Sequence, residues 1–395
     1  MSVLVAILGL GLLIIVHEAG HFFTALAVGM RPRSFNLGFG PPLAKASRKG
    51  IDYAIRIVPL GGYVKIPGMH RPASADVDVY FGLALRQAPE LVGPTQRLKR
   101  ALDAGDEPAA HAALAELERY SGAGAAAFER GLREIRDGLS PQAYWRQRTW
   151  RRVAVIAAGP ATNVLLAIVL FTAVLAAVGG KATPTVDEVL PDHPAHVMGL
   201  RPGDRVVAIG GRPVAPSGIV KRISGSDGRP LAVTVIRNGR VLVLGPVRPR
   251  KEDGTYRLGF RLRGAHLGVD EAAWEALKLT GVVSRETVKS LGRIVHKSGR
   301  KEITGPVGIV RESSKRTGWD YVAVLGFVSL SLALLNLLPL LPLDGGHIAF
   351  SLVEGLRGRA VGREVYERVS AVGIALVLLL FFVGLSNDLG RLDGS

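Results

Sequence analysis

His17, Glu18 and His21 fall inside the first long apolar stretch of the chain, as His17-Glu18-Ala19-Gly20-His21 in the run from Val3 to Val28. Ionisable groups at membrane depth are costly and mark function by default. On a helix, residues four apart lie one turn above each other, so both imidazoles can face one metal ion while Glu18 stands close by. That is the H-E-x-x-H pattern of zinc hydrolases, placed in a stretch long enough to span a bilayer. The chain has no cysteine, so any further metal ligand must be His, Asp or Glu.

A tetrahedral catalytic zinc takes three protein ligands and keeps a fourth position for water, so two histidines are one short. The third is expected from Asp344, in Asn336-Leu337-Leu338-Pro339-Leu340-Leu341-Pro342-Leu343-Asp344-Gly345-Gly346-His347. Pro339 and Pro342 break the helix there, and Gly345-Gly346 lets the backbone bend and approach its neighbours. Three rival readings stand beside this one: His347 as a ligand, Asp344 as the cap of the segment that follows, and Glu18 as a ligand rather than a base. With zinc bound, a coordinated water is acidified to a pKa of about 7, and Glu18 can take its proton and return one to the departing amine. Asn336 and Asn163 are amides in otherwise apolar spans, and each either serves the reaction or hydrogen-bonds helix to helix.

Membrane elements must hold these residues. The chain has 395 residues, 48% of them hydrophobic, with a mean hydropathy of +0.26, room for several spans and one or two small water-facing domains. Apolar stretches run from Val3 to Val28, Val153 to Val178, Tyr321 to Leu341 and Ala371 to Leu385. The first also carries Ala25-Leu26-Ala27, which resembles a signal-peptide cleavage site, but no Lys or Arg precedes its apolar core as that pattern requires. The net charge of +17 does not indicate nucleic acid, because the basic residues flank spans rather than collecting on one soluble module. Arg31, Arg33, Lys45, Arg48 and Lys49 follow span one, Arg146, Arg148, Arg151 and Arg152 precede span two, and Arg357, Arg359, Arg363 and Arg368 separate spans three and four. These loops are expected in the cytoplasm and the segment between spans two and three outside, although Lys301, Arg311, Lys315 and Arg316 pull the other way. His17 then lies about 21 Å of helical rise beyond Val3, near the cytoplasmic face where Asp344 also arrives.

The expected organisation is therefore a first transmembrane helix over residues 1–30, a membrane-associated β-hairpin region over 31–69, an Ala-rich charged cytoplasmic insert over 70–148, and a second helix over 149–179. A water-facing module follows over 180–264, then amphipathic membrane-surface helices over 265–318, a third span over 319–346 and a fourth over 369–388. In the hairpin region Ile51 to Val58 alternates and leads through Pro59-Leu60-Gly61-Gly62 into Tyr63-Val64-Lys65-Ile66, which places the turn at the Gly-rich break. The insert reads as surface helices or a partly disordered segment carrying no chemistry.

The combination of His17-Glu18-Ala19-Gly20-His21, Gly159-Pro160-Ala161-Thr162-Asn163 and Asn336 to Gly346 resembles the site-2 protease family of intramembrane zinc metalloproteases, in its bacterial four-span branch with a PDZ domain, the regulator of sigma-E protease type. Pro59 to Lys65, Pro194-Ala195 to Gly199-Leu200-Arg201-Pro202-Gly203-Asp204, and Gly305-Pro306-Val307-Gly308-Ile309 extend the match, which covers most of the chain except residues 70–145. The resemblance implies an α-helical polytopic membrane protein with four transmembrane helices, a membrane-associated β-hairpin and an extracytoplasmic α+β PDZ-like domain. It implies zinc on His17, His21 and Asp344, Glu18 as catalytic acid/base, and Asn336 orienting the substrate carbonyl. It also implies a bacterial cytoplasmic membrane, single-pass membrane protein substrates of the anti-sigma factor kind, trimmed beforehand by another protease, and no nucleic acid; it sets no oligomeric state.

A membrane helix hides its carbonyls and must unwind before hydrolysis. The 51–66 hairpin, with Ile55 and Ile57, is expected to pair with the unwound strand, and Asn163 to face substrate. Arg257-Leu258-Gly259-Phe260 suggests a binding loop of the PDZ-like module, with Gly259 and Phe260 touching the ligand, or else an ordinary closing strand. The reading from another class is a catalytically inactive PDZ-bearing membrane adaptor. A transporter would need a polar path across the bilayer, and the polar groups gather near one face.

Overall fold

The apolar run at the start of the chain forms one helix, α1 (Val3–Ala27), and the chain leaves it through Gly29 in the left-handed region at φ +83°. The computed structural model describes residues 3–120, 126–252, 254–294, 308–309, 313, 316, 318–359, 361 and 363–393. They form two compact units, one of Met1–Ala167, Val283–Thr317 and Phe327–Ser395, the other of Ile168–Val282 and Gly318–Gly326. Lys301, Arg311, Lys315 and Gly305-Pro306-Val307, named above, lie outside the described residues.

In the first unit, α1 is followed by two long strands, β1 (Ser34–Arg48) and β2 (Ile51–Lys65). Their turn is Lys49-Gly50, both at positive φ of 52° and 76°. This corrects the expectation of a turn at Pro59 to Gly62: a two-residue hairpin needs left-handed backbone at both central positions, and Lys49-Gly50 supplies it. The later glycines serve a bend instead, since Gly61 has φ +118° and a Cβ there would lie 2.2 Å from the Phe39 ring.

The register divides these strands into four segments. Residues 42–48 pair with 51–56, from Arg48↔Ile51 to Pro42↔Arg56, while Ser34 to Leu37 pair on one side with Asp52 to Ile55 and on the other with Lys65 to Gly62. The segment 62–65 is thus an outer edge. Lys65 accepts from the Arg33 amide at 2.7 Å, so by the alternation of a strand Val64 turns its amide the other way, away from the sheet.

Among the described residues the insert is mainly helical: α2 (Ser74–Gln87), α3 (Val92–Ala104), α4 (Glu107–Glu118) and α5 (Ala126–Leu139). Each is too short to persist alone. They share a core of Val77, Phe81, Leu98, Leu114, Leu117, Phe128, Leu132 and Ile135, and Asp106 caps α4 by accepting from the Ala109 amide at 3.0 Å. From α5, Glu134 accepts from Arg33 at 2.7 Å and also binds Lys65, while Asp137 pairs with Arg33. One helix of the insert thereby grips the two residues at the base of the 62–65 edge.

Thr149–Val178 is one helix, α6, carrying Pro160 inside it. The second unit takes over with β3 (Lys181–Val189), α7 (Pro194–Val197), β4 (Arg205–Ile209), β5 (Arg212–Pro213), α8 (Pro216–Ser224), β6 (Leu231–Arg237), β7 (Arg240–Val247), β8 (Arg250–Glu252), β9 (Thr255–Arg257) and β10 (Phe260–Ala265). The sheet order is β10-β3-β4-β6-β7, with β5 on β4, around a core of Val186, Ile209, Ile219, Val233, Val235 and Leu258. Asn238-Gly239 turns β6 into β7 at φ values of 50° and 76°, as its residue types require. Asp204 is buried at 1% exposure and accepts from Arg237 at 2.6 and 2.7 Å and from the Arg201 amide at 2.8 Å. Burial pushes its carboxyl up, but these donors outweigh it and hold the group below the usual carboxylate value.

Val269–Ile294 forms a helix, α9, in the described part of the region expected to hold amphipathic helices; Gly318–Asn336, Asp344–Arg357 and Arg363–Asp393 follow as α10, α11 and α12. Among the described residues four helices are long and apolar enough to cross a membrane, Val3–Ala27, Thr149–Val178, Gly318–Asn336 and Val365–Asp388. That set fits a polytopic membrane protein.

Candidate metal centre

His17 and His21 sit on the buried side of α1, each 7% exposed. The segment Leu337 to Leu343, with its two prolines, separates α10 from α11, and Asp344 is the first residue of α11. Leu343, not Asp344, holds the cap position and no side chain caps it, so the carboxylate is free for another task. Glycine makes the fold-back possible: a Cβ at Gly345 would lie 2.3 Å from the Leu337 and Leu338 carbonyl oxygens.

The result is a triangle of three ligand atoms. His17 Nε2 lies 3.1 Å from Asp344 Oδ2, His21 Nε2 lies 3.4 Å from it, and the two nitrogens are 3.2 Å apart. For a tetrahedral ion with bonds near 2.0–2.1 Å, neighbouring ligand atoms stand about 3.3 Å apart. The triangle therefore has the size that zinc demands. Its chemistry fits as well. His21 Nδ1 is 2.8 Å from the Val155 carbonyl oxygen, which only accepts, so the proton is on Nδ1 and a bare lone pair is on Nε2. Asp344 Oδ2 is buried and makes no hydrogen bond. Lone pairs converging at this spacing form a ligand set suited to one small cation.

Glycine also admits the helix that backs the imidazoles. A Cβ at Gly159 of α6 would lie 2.2 Å from His21 Nε2 and 2.9 Å from His17 Cε1, and one at Gly20 would lie 2.6 Å from the Ala158 carbonyl oxygen. Gly159→Ala is expected to push the rings out of register and lower zinc retention by more than about tenfold, measured by chelator competition on purified protein. Retention equal to wild type would show that the rings move aside freely.

Glu18 is half-buried and off the triangle. Its Cγ would meet a Cβ on Gly62 at 3.2 Å, and the Val64 backbone lies beside its carboxylate. A cavity of about 490 Å³ opens here, lined by His17, Glu18, His21, Gly62, Tyr63, Val64, Asn336, Asp344 and His347. Asn336 ends α10 at this cavity, where its amide can face a bound carbonyl. His347 is placed differently from the rival reading: its ring meets the Tyr366 hydroxyl at 3.1 Å, and it stands outside the three-ligand group. Burial lowers its imidazole to about 4, so it is neutral near pH 7.

Two expected substrate contacts move. Asn163 is wholly buried, behind His17, with Nδ2 3.4 Å from His17 Nδ1; it cannot touch substrate. Ile55 is half-exposed, but its backbone pairs with Leu37 on one side and Ala44 on the other. A substrate strand cannot add at Ile55, and Ile57 lies near the bend without a recorded partner. The free edge is Gly62 to Lys65, a few residues later, which the alternation of the sequence could not reveal because it does not show how a bent strand folds back. Gly259 and Phe260 belong to the second unit, with Phe260 opening the edge strand β10 and paired to Val189.

Comparison with known proteins bears on what such a centre does. A family model described as Peptidase family M50 matches residues 5–380. A protein of Agrobacterium fabrum named putative zinc metalloprotease is 31% identical over 415 residues, covering 98% of this chain and 95% of its own length. Zinc metalloprotease RasP of Geobacillus kaustophilus is 28% identical over 416 residues, covering 99% of this chain and 98% of its own.

Proposed function

The chain belongs to peptidase family M50, the site-2 protease family of zinc metalloproteases, and from that premise we propose that it hydrolyses a peptide bond in or near the membrane segment of single-pass proteins. The observation that carries this reading is the ligand triangle itself, drawn from an apolar helix of membrane length and from the turn just beyond another.

His17, His21 and Asp344 hold the zinc. When bound, the ion supplies an acidified water, with a pKa of about 7, and a polarised carbonyl. Glu18 takes the proton from the attacking water on its carboxylate and delivers it to the departing amine nitrogen. The Asn336 amide donates to the oxygen on which negative charge develops. The edge segment Gly62 to Lys65 borders this chemistry: the outward amide of Val64 faces the Glu18 carboxylate, and the rest of the edge offers the unwound substrate a strand to join. Glu134 and Asp137 of the insert fix the base of that edge through Arg33 and Lys65.

In this reading the protein is a multi-pass protein of the bacterial cytoplasmic membrane. The basic loops and the metal centre lie toward the cytoplasm, and the sheet of the second unit lies outside as a PDZ-like domain. Gly259 precedes edge strand β10 at φ +82°, and a glycine loop leading into a free edge suits a peptide tail added as a further strand. Substrates trimmed beforehand would present such a tail.

The reading is tested by reconstituting the protein in liposomes with a single-pass substrate and mapping the cut by mass spectrometry. Cuts within the span are expected, and cuts confined to water-exposed segments would overturn it. Val64→Pro removes this outward donor from both the Glu18 carboxylate and the edge, while proline remains tolerable on an edge. It should lower cleavage about tenfold, the loss of roughly 1.4 kcal/mol of transition-state binding, with zinc still bound. Unchanged cleavage would show that neither substrate docking nor Glu18 needs this donor.

A further inference from the structure

We propose that Asn163 is a positioning residue of the metal centre, whose side-chain oxygen accepts a hydrogen bond from His17 Nδ1–H and so keeps His17 in the ligating tautomer. The inference rests on the metal-site reading above. His17 enters the ligand triangle through Nε2, 3.1 Å from Asp344 Oδ2 and 3.2 Å from His21 Nε2. A nitrogen that binds a metal has given its lone pair, so the ring proton must sit on Nδ1, and a buried N–H there needs an acceptor.

Among the described contacts of His17 Nδ1 is the Asn163 amide, 3.4 Å away through Nδ2. That orientation sets a donor against a donor once the metal is bound. At the same time Asn163 Oδ1 is buried with no hydrogen-bond partner, and the residue is 0% exposed, so water does not relieve it. A half-turn of the amide removes the donor–donor clash and gives Oδ1 a partner, leaving Nδ2 where Oδ1 stood; nitrogen and oxygen are nearly the same size and differ only in their hydrogen bonding. Oδ1 then accepts from His17, as the Val155 carbonyl accepts from His21. Each imidazole would have its own acceptor on α6, two turns apart on one helix. Ser329 of α10 donates to the Asn163 backbone carbonyl at 2.9 Å, which ties the position of this amide to a third helix.

The sequence contains the signal in Gly159-Pro160-Ala161-Thr162-Asn163. Gly159 makes room for the rings, and Asn163 follows one turn later on the same face.

The test compares Asn163→Asp and Asn163→Leu with wild type in the full-length protein in detergent, reading zinc dissociation by chelator competition. Asp keeps an acceptor of the same shape; Leu keeps the bulk and offers none. Leu is expected to weaken zinc by about 10- to 100-fold, and Asp to stay within about threefold of wild type. Equal loss in both variants would overturn the proposal, since an Asn163 that acted as donor is replaced by neither. Wild-type affinity in Leu would overturn it as well. Should Leu not fold, Asp decides alone, by keeping zinc or losing it. A His17→Ala protein that kept zinc as tightly as wild type would refute the metal-site reading itself, a result distinct from either.

Discussion

Glu18→Gln is expected to lower turnover by about 10²- to 10⁴-fold while the protein keeps its zinc. The amide has the shape of the carboxylate and still offers an oxygen to the Val64 backbone beside it, so the wall of the cavity is preserved. What it loses is the ability to take a proton from water and hand it to the leaving amine. Zinc content should not change, because Glu18 is no part of the ligand triangle. The measurement pairs a cleavage rate with metal analysis of the same preparation. Cleavage within tenfold of wild type would remove Glu18 from the reaction, and loss of zinc would make it a ligand. A membrane adaptor would keep its partner binding and show no rate to lose, so the same variant separates that class.

The pieces of this site differ in how far they could be read before the fold was known. The spacing of His17 and His21 fixes their common face by helical geometry alone, and Pro339 and Pro342 announce a break because proline cannot continue a helix. Counting ligands calls for a third and leaves Asp344 and His347 both on offer, and the fold separates them by grouping Asp344 alone with the two histidines. The free edge at Gly62 to Lys65 was hidden, since strand alternation reports which face a residue takes and not which neighbours it pairs with. Sequence alone leaves the insert between surface helices and a partly disordered segment for a related reason: its helices are short and Ala-rich, and their stability comes from Phe81, Leu98, Leu117 and Phe128 meeting across the chain. Its grip on Arg33 and Lys65 through Glu134 joins residues 101 and 69 positions apart, which no local pattern encodes. Asn163 stands out in the sequence as an amide that either meets the substrate and its chemistry or hydrogen-bonds helix to helix, and its burial behind His17, which favours the second, is a property of helix packing rather than of sequence spacing.

Asp344→Asn should cost more than about 100-fold in zinc affinity, beyond the 10- to 100-fold typical of residues that only support a ligand, and cleavage should vanish with the metal. The rival account is purely structural. Asp344 opens α11, and a carboxylate in the first turn of a helix is favourable by about 0.3–1 kcal/mol through the aligned backbone dipoles. If that were its whole role, the neutral amide would lower stability by this small amount and leave zinc bound. The geometry argues otherwise. The chain between α10 and α11 packs so closely that a Cβ at Gly346 would lie 2.5 Å from the Leu341 nitrogen, and that compact turn carries Oδ2 to within 3.4 Å of both imidazoles. A helix start that needed only a negative charge would not require such an approach. Zinc titration of Asp344→Asn beside thermal unfolding decides between the two: lost zinc with near-normal metal-free stability assigns the third ligand, and retained zinc with slightly lowered stability dissolves the centre.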